Sequence, residues 1–199
     1  MNVDRELAIA GKFNGSSDFT TLDAWTTLTG EPLNAGGLLA GEAVLRFNAQ
    51  ALTDSHKATV KVGQIYPGKT RLWICSDVYA TVYYGLEIET GLINNKFHII
   101  KGRGTDALLD GYIFSEVDKF ETTNRTVNLG DDCSVWYDEP NHTIRAYHGA
   151  VEVCALEVDP YEIPHGAGNR YHGVAIGVDL VFDVLNKGMV PTSYTALDV

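Results

Sequence analysis

The chain has 199 residues, 45% of them apolar, and a formal net charge of −11. That length suits one all-β domain with a sizeable core, and the apolar content excludes a disordered chain. Twenty-six acidic residues against fifteen basic ones, with no clustered basic run, exclude nucleic-acid binding.

Ten Tyr, seven Phe and three Trp favour strands, and twenty Gly against six Pro suit many tight turns. Residues 7–13 read as a first strand, 14–18 as a turn-rich loop, and 19–28 as a segment carrying Trp25 that ends at Thr29-Gly30. Residues 31–40 are Gly-rich and read as a loop or a short irregular strand. From 42 to 48 the pattern alternates, with Ala43, Leu45 and Phe47 on one side and Glu42, Val44 and Arg46 on the other. The cleanest period of two lies at 54–63: His56, Ala58, Val60 and Val62 share one face, and Ser55, Lys57, Thr59 and Lys61 share the other. A strand covered on one side needs that split. Pro67-Gly68 turns the chain into a strand at 71–76. The strand at 80–89 points Val82, Tyr84, Leu86 and Ile88 inward and Thr81, Tyr83, Glu87 and Glu89 outward.

Residues 95–101 and 123–129 read as strands. Between them, 107–120 is ambiguous: Leu108, Leu109, Tyr112 and Ile113 have near-helical spacing, while Gly111 and β-branched neighbours favour strand or loop. Residues 131–156 organise the chain. Three apolar-rich runs are separated by Asp138-Glu139-Pro140-Asn141 and by His148-Gly149, which predicts a β-meander. Residues 159–171 hold two Pro and two Gly and form a long candidate binding or interface loop. Alternation resumes at 172–180, where Val174, Ile176, Val178 and Leu180 face one way and Gly173, Ala175 and Gly177 leave the other face nearly bare. The last seventeen residues contain Met189, Val190, Tyr194 and Leu197 but also Gly188 and Pro191. This segment is too apolar to wave free in water and packs either on its own domain or on a neighbouring subunit. The expected organisation is a single β-sandwich over 1–182 with a C-terminal extended arm over 183–199.

Cys75, Cys133 and Cys154 are widely spaced, with no CxxC or HxxxH pattern, so they read as buried free thiols rather than zinc ligands. Residues 1–6 are charged and lead into no long apolar run. No signal peptide, no membrane span and cytoplasmic synthesis are therefore expected.

The order of these runs resembles the concanavalin A-like (lectin/glucanase, laminin G-like) jelly roll, an antiparallel two-sheet sandwich. The stretches 54–62 and 80–88, the latter with a "Y-x-L-x-I" pattern, carry the resemblance together with 133–153 and the Gly173-Val174-Ala175-Ile176-Gly177-Val178 strand. A narrower resemblance, carried by Phe19, Trp25, Gly30 and 54–62, is to minor tail and other virion proteins of tailed bacteriophages of actinobacterial hosts. It implies a non-enzymatic structural protein of the tail or capsid surface. Such a protein would partner other virion proteins and copies of itself, and would touch host surface glycans. The alternative is a free carbohydrate-binding, lectin-like module, and the third reading is a glycoside hydrolase.

No catalytic, cofactor-binding or metal-binding residue is assigned. Glu87 and Glu89 share a face, as the acid and nucleophile of a sandwich-fold glycosidase must. The acidic residue that such a motif also carries is absent, because Ile88 and Thr90 fill the places. A solvated acidic strand face is the plainer reading. Asp131, Asp132, Asp138 and Glu139 are candidate calcium donors or simple turn caps. Trp73, Trp136, Tyr79, Tyr83 and Tyr137 are either a sugar-stacking platform or core.

Overall fold

The computed structural model describes residues 12–34, 37–91, 95–103, 118–177 and 189–199. The expected strand at 7–11, the ambiguous segment through 117, and Val178 and Leu180 lie outside these. Thirteen strands form two antiparallel sheets among the described residues. The six-stranded sheet runs β1 (Asn14–Ser17), β13 (Met189–Asp198), β4 (His56–Ile65), β9 (Asp132–Asp138), β10 (Thr143–His148), β11 (Val151–Glu157). The seven-stranded sheet runs β2 (Trp25–Asn34), β3 (Leu39–Phe47), β12 (Tyr171–Ile176), β5 (Gly68–Ser76), β6 (Val82–Thr90), β7 (Asn95–Arg103), β8 (Asp118–Arg125). Each inner face is the apolar half of an alternating pattern, so the core forms between the sheets. Ala58, Val60, Val62, Val135, Ile144 and Tyr194 come from one sheet, and Leu45, Leu72, Leu86, Ile88, Phe97 and Val174 from the other. The meander at 131–156 is β9, β10 and β11. Its first connection is a 3-10 turn at Glu139–Asn141 and its second turns at Gly149.

Three expectations differ from the structure. Residues 14–17 are an edge strand rather than a loop, because an edge strand needs only backbone pairing, here with 194–197 of β13. In its described part the Gly-rich stretch from 31 is regular paired strand, the continuation of β2 against the start of β3, with Glu31 opposite Glu42 and Asn34 opposite Leu39. The terminal segment is not an extended arm over its described part. Met189–Asp198 lies between β1 and β4, where it buries Met189, Val190 and Tyr194. The apolar residues that required a packing partner find it in their own domain. Pro191 fits there because the β13–β4 register shifts on both sides of it.

Candidate functional site

The outer face of each sheet carries a cluster of polar and aromatic side chains. On the seven-stranded sheet, register builds a row in which Ala175, Arg71, Glu87 and His98 are successive cross-strand partners. Arg71 donates to Glu87 Oε2 from Nε at 2.9 Å and from Nη2 at 2.6 Å. Both residues are buried, Arg71 at 1% exposure and Glu87 at 0%. Burial acts against the Arg71 charge, and the Glu87 carboxylate opposes that loss. The next row holds Gly173, Trp73, Gly85 and Ile100, and beyond it Tyr83 faces Gly102. Two glycines make room for flat aromatic rings here. A Cβ on Gly173 would overlap the Trp73 ring, and one on Gly102 would overlap Tyr83. Trp73, Tyr83, Ile100 and Ala80 form a second apolar cluster, against which Leu28 and Tyr171 pack. Trp73 and Tyr83 are thus buried too deeply to stack on a sugar.

Glu87 and Glu89 do share this outer face, and His98 Nε2 lies 3.6 Å from Glu89 Oε2. One ligand atom from each of Glu87, Glu89 and His98 lies within 4.8 Å of the others. The charges around them do not favour a divalent cation. Arg71 already occupies Glu87, and Glu89 stands between Lys69 and Lys96 in register. Neither Arg71 nor His98 was singled out from sequence. What joins them to Glu87 is strand register, which no local pattern displays.

The outer face of the six-stranded sheet is open. Its central row is Leu197, Lys57, Trp136, Arg145 and Ala155, each opposite the next. The neighbouring row is Thr195, Thr59, Ser134, Tyr147 and Glu152. The small Ser134 leaves space for Trp136, Tyr147 and Lys57 to converge. The Trp136 and Tyr147 rings lie 6.4 Å apart at an interplanar angle of 31°. Arg145 sits 5.9 Å from the Trp136 ring, and Lys57 Nζ sits 5.1 Å from the Tyr147 ring. All four residues are half-buried. Trp136 Nε1 donates to Ser55 Oγ at 3.3 Å, and the Tyr147 hydroxyl donates to Glu152 Oε2 at 3.3 Å. Burial and the Glu152 carboxylate push the Tyr147 phenol up, so it remains a neutral donor. Arg145 is fixed by Asp138 at 3.0 Å and by Glu152 at 2.8 Å. This is a supported aromatic surface with a polar fringe.

The remaining sequence candidates do not meet. Tyr137 faces the core, and Tyr79 is 70% exposed on the connection between β5 and β6. Asp131 and Asp132 stand at one end of β9 and Asp138 and Glu139 at the other, roughly 20 Å away along the strand. Asp131 is bonded to His148 and to the Asn128 backbone, Asp132 to Lys61, and Asp138 to Arg145 and Asn141. The four do not converge on one ion. The three cysteines are buried and none forms a disulfide.

No family model and no curated protein matches the chain. Solved structures match its fold. Peanut lectin, solved with a 9mer peptide, is 12% identical over 96% of this chain and 98% of its own, with a TM-score of 0.58. A carbohydrate-binding module, CBM66 from Bacillus subtilis, is 11% identical over 88% and 96%, with a TM-score of 0.54. A prokaryotic β-1,3-1,4-glucanase (lichenase) derived from a mouse hindgut metagenome is 14% identical over 93% and 98%, with a TM-score of 0.54. The fold is the concanavalin A-like lectin/glucanase jelly roll. It serves both binding proteins and glucanases, so the choice between those functions falls to the side chains.

Proposed function

We propose that the chain is a non-catalytic carbohydrate-binding domain of lectin type, and that saccharide stacks on Trp136 and Tyr147. The half-buried, hydrogen-bonded pair of rings carries this reading. An aromatic face held rigidly at the surface meets the apolar face of a sugar ring at little entropic cost, while fringe donors and acceptors meet its hydroxyls. The carboxylates on the opposite sheet support a non-catalytic role. A glycosidase needs both carboxyl groups in contact with the scissile bond, and Glu87 is fully buried and occupied by Arg71. The virion setting remains part of the proposal as a place where such a domain would work, displayed on a particle that touches glycans.

The test is a glycan array followed by calorimetry with the full chain. Trp136→Ala should lose binding while keeping its melting transition, and the wild type should cleave no β-glucan. Glucan cleavage that disappears in Glu89→Gln would replace this reading with the hydrolase.

A further inference from the structure

The stacking surface has an uneven charge. Arg145 is neutralised twice, by Asp138 and by Glu152, and Lys61 is neutralised by Asp132 at 3.0 Å. Lys57 is different. It is the direct cross-strand partner of Trp136, its ammonium lies over Tyr147, and among the described residues it forms no ion pair. It is half-buried, so its stem is packed while its ammonium stays beside the Tyr147 ring.

Resting on the carbohydrate-binding reading, we infer that the platform selects acidic saccharides, meaning sugars that carry a carboxylate or a sulfate. A ring stacked on Trp136 displaces water from the space that Trp136, Tyr147 and Lys57 share. A neutral sugar leaves the Lys57 ammonium with less water and only hydroxyl partners. An acidic group on the ring offers a charge-assisted hydrogen bond, roughly twice as strong as a neutral one. Discrimination therefore comes from the cost of leaving Lys57 poorly solvated as well as from the new bond. The overall charge of −11 repels anions at long range. That repulsion is screened beyond about 8 Å at physiological ionic strength, whereas the contact at Lys57 is not. Selectivity then resides in one residue, and the fixed Arg145 serves as a wall.

The experiment uses the full chain in isothermal titration against glucuronate- and glucose-containing oligosaccharides of equal length, with a sulfated series beside them. The acidic member should bind about tenfold tighter than its neutral counterpart. Lys57→Gln should bring the two affinities together, loosening the acidic sugar and sparing the neutral one the cost of desolvating the ammonium, Lys57→Arg should restore most of the difference, and Lys61→Gln should leave it unchanged. Equal binding of acidic and neutral sugars by the wild type overturns the inference and spares the binding reading. So does an acidic preference that survives Lys57→Gln. Absence of binding to any saccharide, or binding untouched by Trp136→Ala, overturns both.

Discussion

On the outer face of the seven-stranded sheet, Arg71 and Glu87 meet at 2.6 Å, with side-chain exposures of 1% and 0%. On the outer face of the six-stranded sheet, Arg145 and Glu152 meet at 2.8 Å, with exposures of 25% and 40%. The chemistry and the distance are almost the same, and the consequences are not. In water the pair gains little, because both ions were already well solvated. Under cover each ion has given up its hydration, so each depends on the other. The buried pair therefore ties β5 to β6. The exposed pair is an adjustable support, which holds Tyr147 through Glu152 and leaves the platform reachable. The face proposed to bind saccharide is the one whose charges a ligand can approach without stripping them of all their partners.

The largest effect that separates the two faces is expected at Arg71. Arg71→Met removes the guanidinium that the buried Glu87 carboxylate meets at 2.6 Å and should cost about 3–5 kcal/mol. Urea denaturation reads it directly. Adding Glu87→Leu should recover much of that loss, because apolar side chains of similar volume often replace a buried pair at no net cost. A single substitution costing under about 1 kcal/mol would mean that the covered pair behaves like the exposed one, and the distinction would fall.

A smaller effect comes from the core beneath both faces. His172 on β12 reaches across to Tyr194 on β13, with Nδ1 2.7 Å from the hydroxyl, and its ring stacks on Phe47. His56 on β4 lies 6.1 Å from it. Burial holds both histidines below the usual value, and His56 lowers His172 further. The unfolded chain protonates them near pH 6.5 and the folded chain resists. Their contribution to stability is thus fully present above about pH 6.5 and is lost as the pH falls below it. The slope is at most about 1.4 kcal/mol per pH unit for each histidine. Melting the wild type and His172→Phe between about pH 5 and 7 should show a shallower dependence in the variant. Identical slopes would show that His172 takes no part in the acid response.

The fold was legible because alternation is local. The split of His56, Ala58, Val60 and Val62 from Ser55, Lys57, Thr59 and Lys61 is the split the sandwich uses. The residues behind the narrower virion resemblance also have packing roles. Trp25 stacks on Phe19 at 5.4 Å and meets Tyr194 edge-on, and a Cβ on Gly30 would overlap the Glu42 carbonyl. The site was only half legible. Trp136 could be nominated as an aromatic residue and Lys57 as outward-facing, but their adjacency depends on the pairing of β4 with β9. The same limit hid Arg71 behind Glu87 and His172 behind Tyr194, since each partnership is made across strands rather than along one. The terminal segment shows the converse. Its apolar residues demanded burial, but only the gap between β1 and β4 decides that the burial is internal.

The smallest expected effect lies on the open face and sharpens the comparison most directly. Glu152→Gln removes one of two carboxylates from Arg145 and converts a charged acceptor for Tyr147 into a neutral one. Asp138 still holds Arg145 at 3.0 Å, and water reaches the Arg145 and Glu152 side chains. The loss should lie between about 0.2 and 1 kcal/mol and should shrink as salt is raised, because the pair is screened. The Tyr147 ring should keep its place, since the amide oxygen of Gln can accept the same hydroxyl proton. Denaturation of Glu152→Gln at low and high salt checks both statements. A loss as large as that of Arg71→Met, unmoved by salt, would mean that the six-stranded face is held as firmly as the other. The aromatic pair would then be part of the scaffold rather than a surface awaiting a ligand.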